Sequence, residues 1–114
     1  MLKQNRRKYP RLLFKAKVEV SIAGRKLSSS ICENISVGGM CLIVNDFLPE
    51  DVYGNVVLEK KIGKTLITFE SKFLRLWDKL VKPGKSSRYI GVKFLEMNEK
   101  NASALSTLIS NLSA

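Results

Sequence analysis

The chain contains no histidine, and its ten acidic residues include no pair at a spacing suggestive of two carboxylates working on one bond. Its serines lack an identifiable base, so general acid–base and nucleophilic catalysis have no evident operator and no enzymatic activity is expected. Cysteine is scarce: Cys32 and Cys41 have no CxxC spacing and no histidine to complete a zinc site. Both are expected to be reduced and packed, with no metal and no cofactor. No run of about 18 apolar residues could cross a bilayer, and the opening MLKQNRRKYPR has no apolar stretch like that of a signal peptide. A cytoplasmic protein without membrane insertion is expected. Internal repeats and low-complexity linkers are also missing, and 114 residues suit one domain with a single core.

What the chain does have is positive charge, unevenly placed. Lys and Arg number 20 against 10 Asp and Glu, a net charge of +10. Residues 1–18 hold seven of the cations (Lys3, Arg6, Arg7, Lys8, Arg11, Lys15 and Lys17) and no acid, so +7 of the +10 lies there. Such a field favours an anionic partner near the N-terminus: nucleic acid, membrane surface or a phosphorylated small molecule. Pro10 and the polar flanks make residues 1–11 a poor helix and predict a mobile loop in front of the domain.

From Leu12 the pattern alternates. Phe14, Ala16, Val18, Val20 and Ile22 share one face while Lys15, Lys17, Glu19 and Ser21 share the other, which predicts a half-buried strand. The turn at 23–25 through Gly24 predicts a hairpin with a second strand in KLSSSICENI. Apolar stretches MCLIV, VYGNVVLEK, KTLITFESKFLRLW and RYIGVKFLE follow, without a helix-length segment between them. Short strands and glycine turns predict an all-β closed barrel rather than a parallel sheet. After Asn98 or Asn101 as N-cap, Leu105, Leu108, Ile109 and Leu112 recur at helical spacing and predict a terminal α-helix lying on the barrel. Its Ser/Asn polar face is unsuited to a membrane surface.

Two short stretches invite a functional reading. RRKYPRL, Arg6 to Leu12, gathers three arginines and a lysine around a proline. ENISVGGM, Glu33 to Met40, needs glycine to turn, and Gly38 and Gly39 are expected to supply positive φ. Asn34 and Ser36 are either turn formers that bond their own backbone or an amide and a hydroxyl converging on a ligand, with Gly39 letting a flat group approach.

Taken together, the two stretches resemble the signature pair of the PilZ domain, the bacterial receptor module for cyclic di-GMP. That family carries R-x-x-x-R in an N-terminal loop, matched here by Arg7–Arg11. It carries [DN]-x-S-x-x-G at a turn after the second barrel strand, matched by Asn34-Ile35-Ser36-Val37-Gly38-Gly39. YIGVKFLEM followed by a helix is similar to the family's closing strand and C-terminal helix, so the resemblance covers nearly the whole chain. It implies a six-stranded antiparallel β-barrel over residues 12–97, an N-terminal ligand-binding loop at 1–11 and a helix at 98–114. It also implies that Arg7 and Arg11 meet guanine edges and phosphates, as a guanidinium fork can and a lysine cannot. Asn34 and Ser36 would meet the remaining polar edges, and Gly39 would keep the turn open. Asn34 lacks the charge of the commoner aspartate, which implies somewhat weaker binding. Arg6 stands where the family's ligand stoichiometry is set: it is either solvated or a third guanidinium holding two stacked ligand molecules. Trp77, the sole tryptophan, is either a guanine-stacking platform or a core residue.

The implied function is a stand-alone adaptor. Ligand would order the arginine loop and present a changed surface to a downstream protein. Two alternatives stand beside it: a PilZ-like protein-interaction module that binds no cyclic di-GMP, and a small basic barrel binding RNA or single-stranded DNA. The second needs exposed aromatics among its cations, whereas Phe14, Phe69, Phe73 and Phe94 fall where burial is expected. A nucleic-acid polymer is therefore not the expected partner.

Overall fold

A computed structural model describes residues 12–27 and 29–113. Arg6, Arg7, Arg11 and the N-terminal loop expected at 1–11 lie outside the described residues. Among the described residues there are seven strands: β1 (Leu12–Ile22), β2 (Arg25–Lys26), β3 (Ser30–Ile35), β4 (Gly39–Val44), β5 (Tyr53–Ile62), β6 (Thr65–Leu80) and β7 (Arg88–Phe94). One helix follows, α1 (Glu99–Ser113). All pairings are antiparallel, in the order β2-β1-β3-β4-β7-β6-β5, and β1 also pairs with β5. With β2 only two residues long, that last pairing closes six strands into the expected barrel.

The alternation in β1 has its anticipated consequence, since Phe14, Val18 and Val20 are buried in the core. Ile35, Met40, Leu42, Leu58, Phe69, Phe73, Ile90 and Val92 line the same interior, each at most 1% exposed. Phe69 meets Phe94 edge-on at 5.8 Å between centroids, the T-shaped arrangement favoured by opposed ring quadrupoles. Cys32 and Cys41 are both buried, as expected.

The 23–25 hairpin forms, pairing Ser21 with Lys26 and Ile22 with Arg25. Both central residues are left-handed, Ala23 at φ 52° and Gly24 at φ 77°, as a type I′ turn requires. The expected single strand over 26–35 is instead two pieces: the Leu27 amide still donates to the Val20 carbonyl at 2.9 Å, and the ladder with β1 resumes where Ile31 stands opposite Lys17.

Asn98, rather than Asn101, caps the helix: its Oδ1 accepts from the Asn101 amide at 2.9 Å, satisfying a donor that the first helical turn leaves open. Asn101 in turn accepts from the Glu70 amide of β6 at 2.9 Å, pinning α1 to the barrel. Leu105 and Leu108 are buried in the core, with Ile109 and Leu112 packed against it.

Candidate functional site

Strand register assembles the site on the outer wall of the barrel. Leu13 of β1 stands opposite Asn34 of β3, Asn34 opposite Cys41 of β4, Cys41 opposite Gly91 of β7, and Gly91 opposite Trp77 of β6. Their chain neighbours Ile35, Met40, Leu42, Ile90 and Val92 point into the core, so the row faces outward by the two-residue period of a strand. Asn34 and Trp77 are thus three strand spacings apart, about 15 Å, across a floor made of one small thiol and one glycine. The sequence reading placed neither Cys41, expected only to be packed, nor Gly91 in a site; a glycine inside a strand pattern was the available signal for the latter.

Trp77 is not a core residue. It is 38% exposed, and its indole lies across Gly91 so closely that a Cβ there would come within 2.2 Å of the ring. Any side chain at position 91 would lift the ring off the wall.

Asn34 follows a bulge in β3 between Cys32 and Asn34. The bulged residue, Glu33, is offset by Lys15 at 3.7 Å, so the acid beside the row is paired. An exposed cation, Lys93, flanks Gly91 two residues along β7 and pairs with Gly39.

The turn after Asn34 is built by Ser36. The Ser36 amide donates to the Gly39 carbonyl at 2.8 Å, and the Phe94 amide donates to the Gly38 carbonyl at 2.9 Å. The Ser36 hydroxyl accepts from the Gly38 amide at 3.2 Å and donates to the Gly39 carbonyl at 3.4 Å. Ser36 is buried, so its polar group is engaged in shaping this turn. Positive φ is not the reason for glycine at 38 and 39: the left-handed glycines among the described residues are Gly24, Gly63 and Gly84. Gly39 is required by close approach, because a Cβ there would meet the Val92 carbonyl oxygen of β7 at 2.1 Å.

Leu12 pairs with Ile35, one residue before this turn. The start of β1 therefore lies beside Asn34 and Ser36. A recess of about 540 Å³ lies beside the start of α1, lined by Asn55, Lys72, Met97 and Asn98 among others. No group of metal-ligating side chains gathers among the described residues.

At the barrel end beyond Trp77, three charges meet that the sequence reading did not foresee. Asp78, whose side chain is 4% exposed, accepts from Arg88 Nε at 2.8 Å and lies 3.6 Å from a terminal nitrogen of Arg75. The Arg88 guanidinium also sits 5.4 Å from the ring centroid of Phe47.

A search of curated proteins returned no match. Nine solved chains match. One is the Bacillus subtilis inhibitor of motility, MotI/DgrA, at 16% identity with a TM-score of 0.77; the alignment covers 96% of this chain and 52% of that one. At that identity the likeness is one of fold, and the present chain spans about half the length of that protein. The profile of the PilZ domain matches residues 5–111, a span that takes in both short motifs, the outer row and most of α1. The chain belongs to the PilZ domain family.

Proposed function

We propose that the protein is a receptor for cyclic di-GMP that takes its ligand on the outer row and passes the signal on by protein contact. The observation that carries this reading is the register. It aligns Asn34 of one motif with an outward-facing Trp77, next to the start of β1 at Leu12. A guanine needs a flat apolar surface and polar partners at its edges, and this row offers an indole face at one side and a carboxamide at the other. Arg7 and Arg11 would supply the forks for O6, N7 and phosphate. Arg6 would add the third cation for a second, stacked ligand. Ser36 and Gly39 contribute through the turn that sets Asn34 against β4.

Binding neutralises the mutually repelling arginines and draws residues 3–11 onto the outer wall, which changes the surface a partner reads. Amide exchange in residues 3–11 should slow on adding ligand, and unchanged exchange would remove this step. The nucleic-acid reading is weakened by the burial of Phe14, Phe69, Phe73 and Phe94, which withdraws those four rings from the stacking that a single strand needs.

The test is isothermal titration with cyclic di-GMP of the protein and of a variant carrying Arg7→Ala and Arg11→Ala, with GTP as control. Selective binding that the variant loses supports the reading, and a molar ratio of two supports the role of Arg6. Absence of heat with cyclic di-GMP would leave a PilZ fold acting as a protein-interaction module.

A further inference from the structure

The direction in which Trp77 points is decided by one extra residue. Along the first part of β6 the odd positions Ile67, Phe69, Ser71 and Phe73 are buried, and strict alternation would send positions 75 and 77 inward as well. The register shifts between Arg75 and Trp77: Arg75 pairs with Val92, Trp77 with Gly91 and Asp78 with Ile90. Leu76 is the inserted residue, and it is 50% exposed. Beyond it the phase is reversed, so the tryptophan faces out and the aspartate faces in, as a β-bulge re-aims the side chains that follow it.

An inward carboxylate is costly unless it is paired. Here the pairing is built from both sides of the bulge: Arg75 precedes it on β6, and Arg88 reaches across from β7 with two contacts from Nε at 2.8 and 3.0 Å. The side chains of Arg75, Asp78 and Arg88 are 11%, 4% and 26% exposed. The alternative phase, with Trp77 inside and Asp78 in solvent, would leave these two guanidinium groups without their counter-ion.

We propose that Asp78, held by Arg75 and Arg88, is a positioning residue that fixes the bulge in β6 and thereby aims the Trp77 indole across Gly91 as a binding surface. The inference rests on the proposed reading of Trp77 as a stacking platform for a guanine. Asp78 touches no ligand; it acts through the phase of the strand.

The sole tryptophan is its own reporter. Acrylamide quenching and fluorescence anisotropy of the ligand-free protein are compared with those of Asp78→Asn and Arg88→Lys. The lysine keeps a cation but cannot reproduce the guanidinium contact, and it carries the test should Asp78→Asn fail to fold. In either variant the indole is expected to leave Gly91, with quenching raised and anisotropy lowered where the ring swings into solvent, and with quenching lowered where the strand slips into the alternative phase and turns the ring inward. Wild-type values in folded variants would overturn the proposal. This arm needs no ligand, so it stands even if cyclic di-GMP does not bind and the receptor reading fails.

The second arm is a double-mutant cycle on cyclic di-GMP affinity. Asp78→Asn and Trp77→Ala should each weaken binding about tenfold, and the double variant should be no weaker than Trp77→Ala alone. Additive losses would mean that Asp78 acts on the whole barrel rather than through Trp77, and would also overturn the proposal.

Discussion

The two halves of β6 are one strand put to different uses. From Thr65 to Phe73 it alternates without a break, burying Ile67, Phe69, Ser71 and Phe73. From Arg75 to Leu80 it carries a bulge, a half-exposed tryptophan and a buried carboxylate between two arginines. The first half obeys the pattern that burial alone requires. The second departs from it, and its departures converge on the wall where Asn34 stands. Local rules give way where a side chain has to be aimed rather than simply packed.

Phe73→Ala should cost the most, since it empties a fully buried ring site; about 3–5 kcal/mol is expected in chemical denaturation. Cyclic di-GMP affinity of the fraction still folded should stay near wild type, because the first half only packs. Gly91→Ala attacks the second half instead. Its methyl would collide with the Trp77 ring, so a stability loss of about 1–3 kcal/mol should come with a clear loss of binding by calorimetry. Trp77→Ala separates the two properties further. Stability should fall by about 1 kcal/mol, as expected for a partly buried ring, while affinity drops about tenfold for one lost stacking surface. Equal effects of Phe73→Ala and Trp77→Ala on affinity would erase the distinction between the halves.

Ala23→Asn is the smallest change and lies in the β1–β2 turn, outside β6. Asparagine tolerates the left-handed backbone that Ala23 occupies at φ 52°, so thermal or denaturant unfolding should show a gain of about 0.5–1 kcal/mol. Ligand affinity should not move.

Where burial speaks with a fixed period, the sequence was readable. The β1 face, the four buried phenylalanines, the Gly24 hairpin and the stripe of Leu105, Leu108, Ile109 and Leu112 all follow from it. The bulge in β6 was not readable, because its cause is cross-strand: Asp78 needs Arg88, ten residues along the chain, and only pairing brings them together. For the same reason glycine was correctly noticed at position 39 but for another cause, the approach of the Val92 carbonyl. Of the residues proposed to bind ligand, Asn34 and Trp77 lie in one row, while Ser36 and Gly39 form the adjoining turn.

The most direct measurement is a titration with cyclic di-GMP read by the fluorescence of Trp77, the only tryptophan in the chain. A ligand seated on the outer row must quench or shift that emission saturably. The change should be absent with GTP and absent in the Arg7→Ala, Arg11→Ala variant. Binding seen by calorimetry with no change in Trp77 emission would place the ligand elsewhere and contradict the outer row as its site.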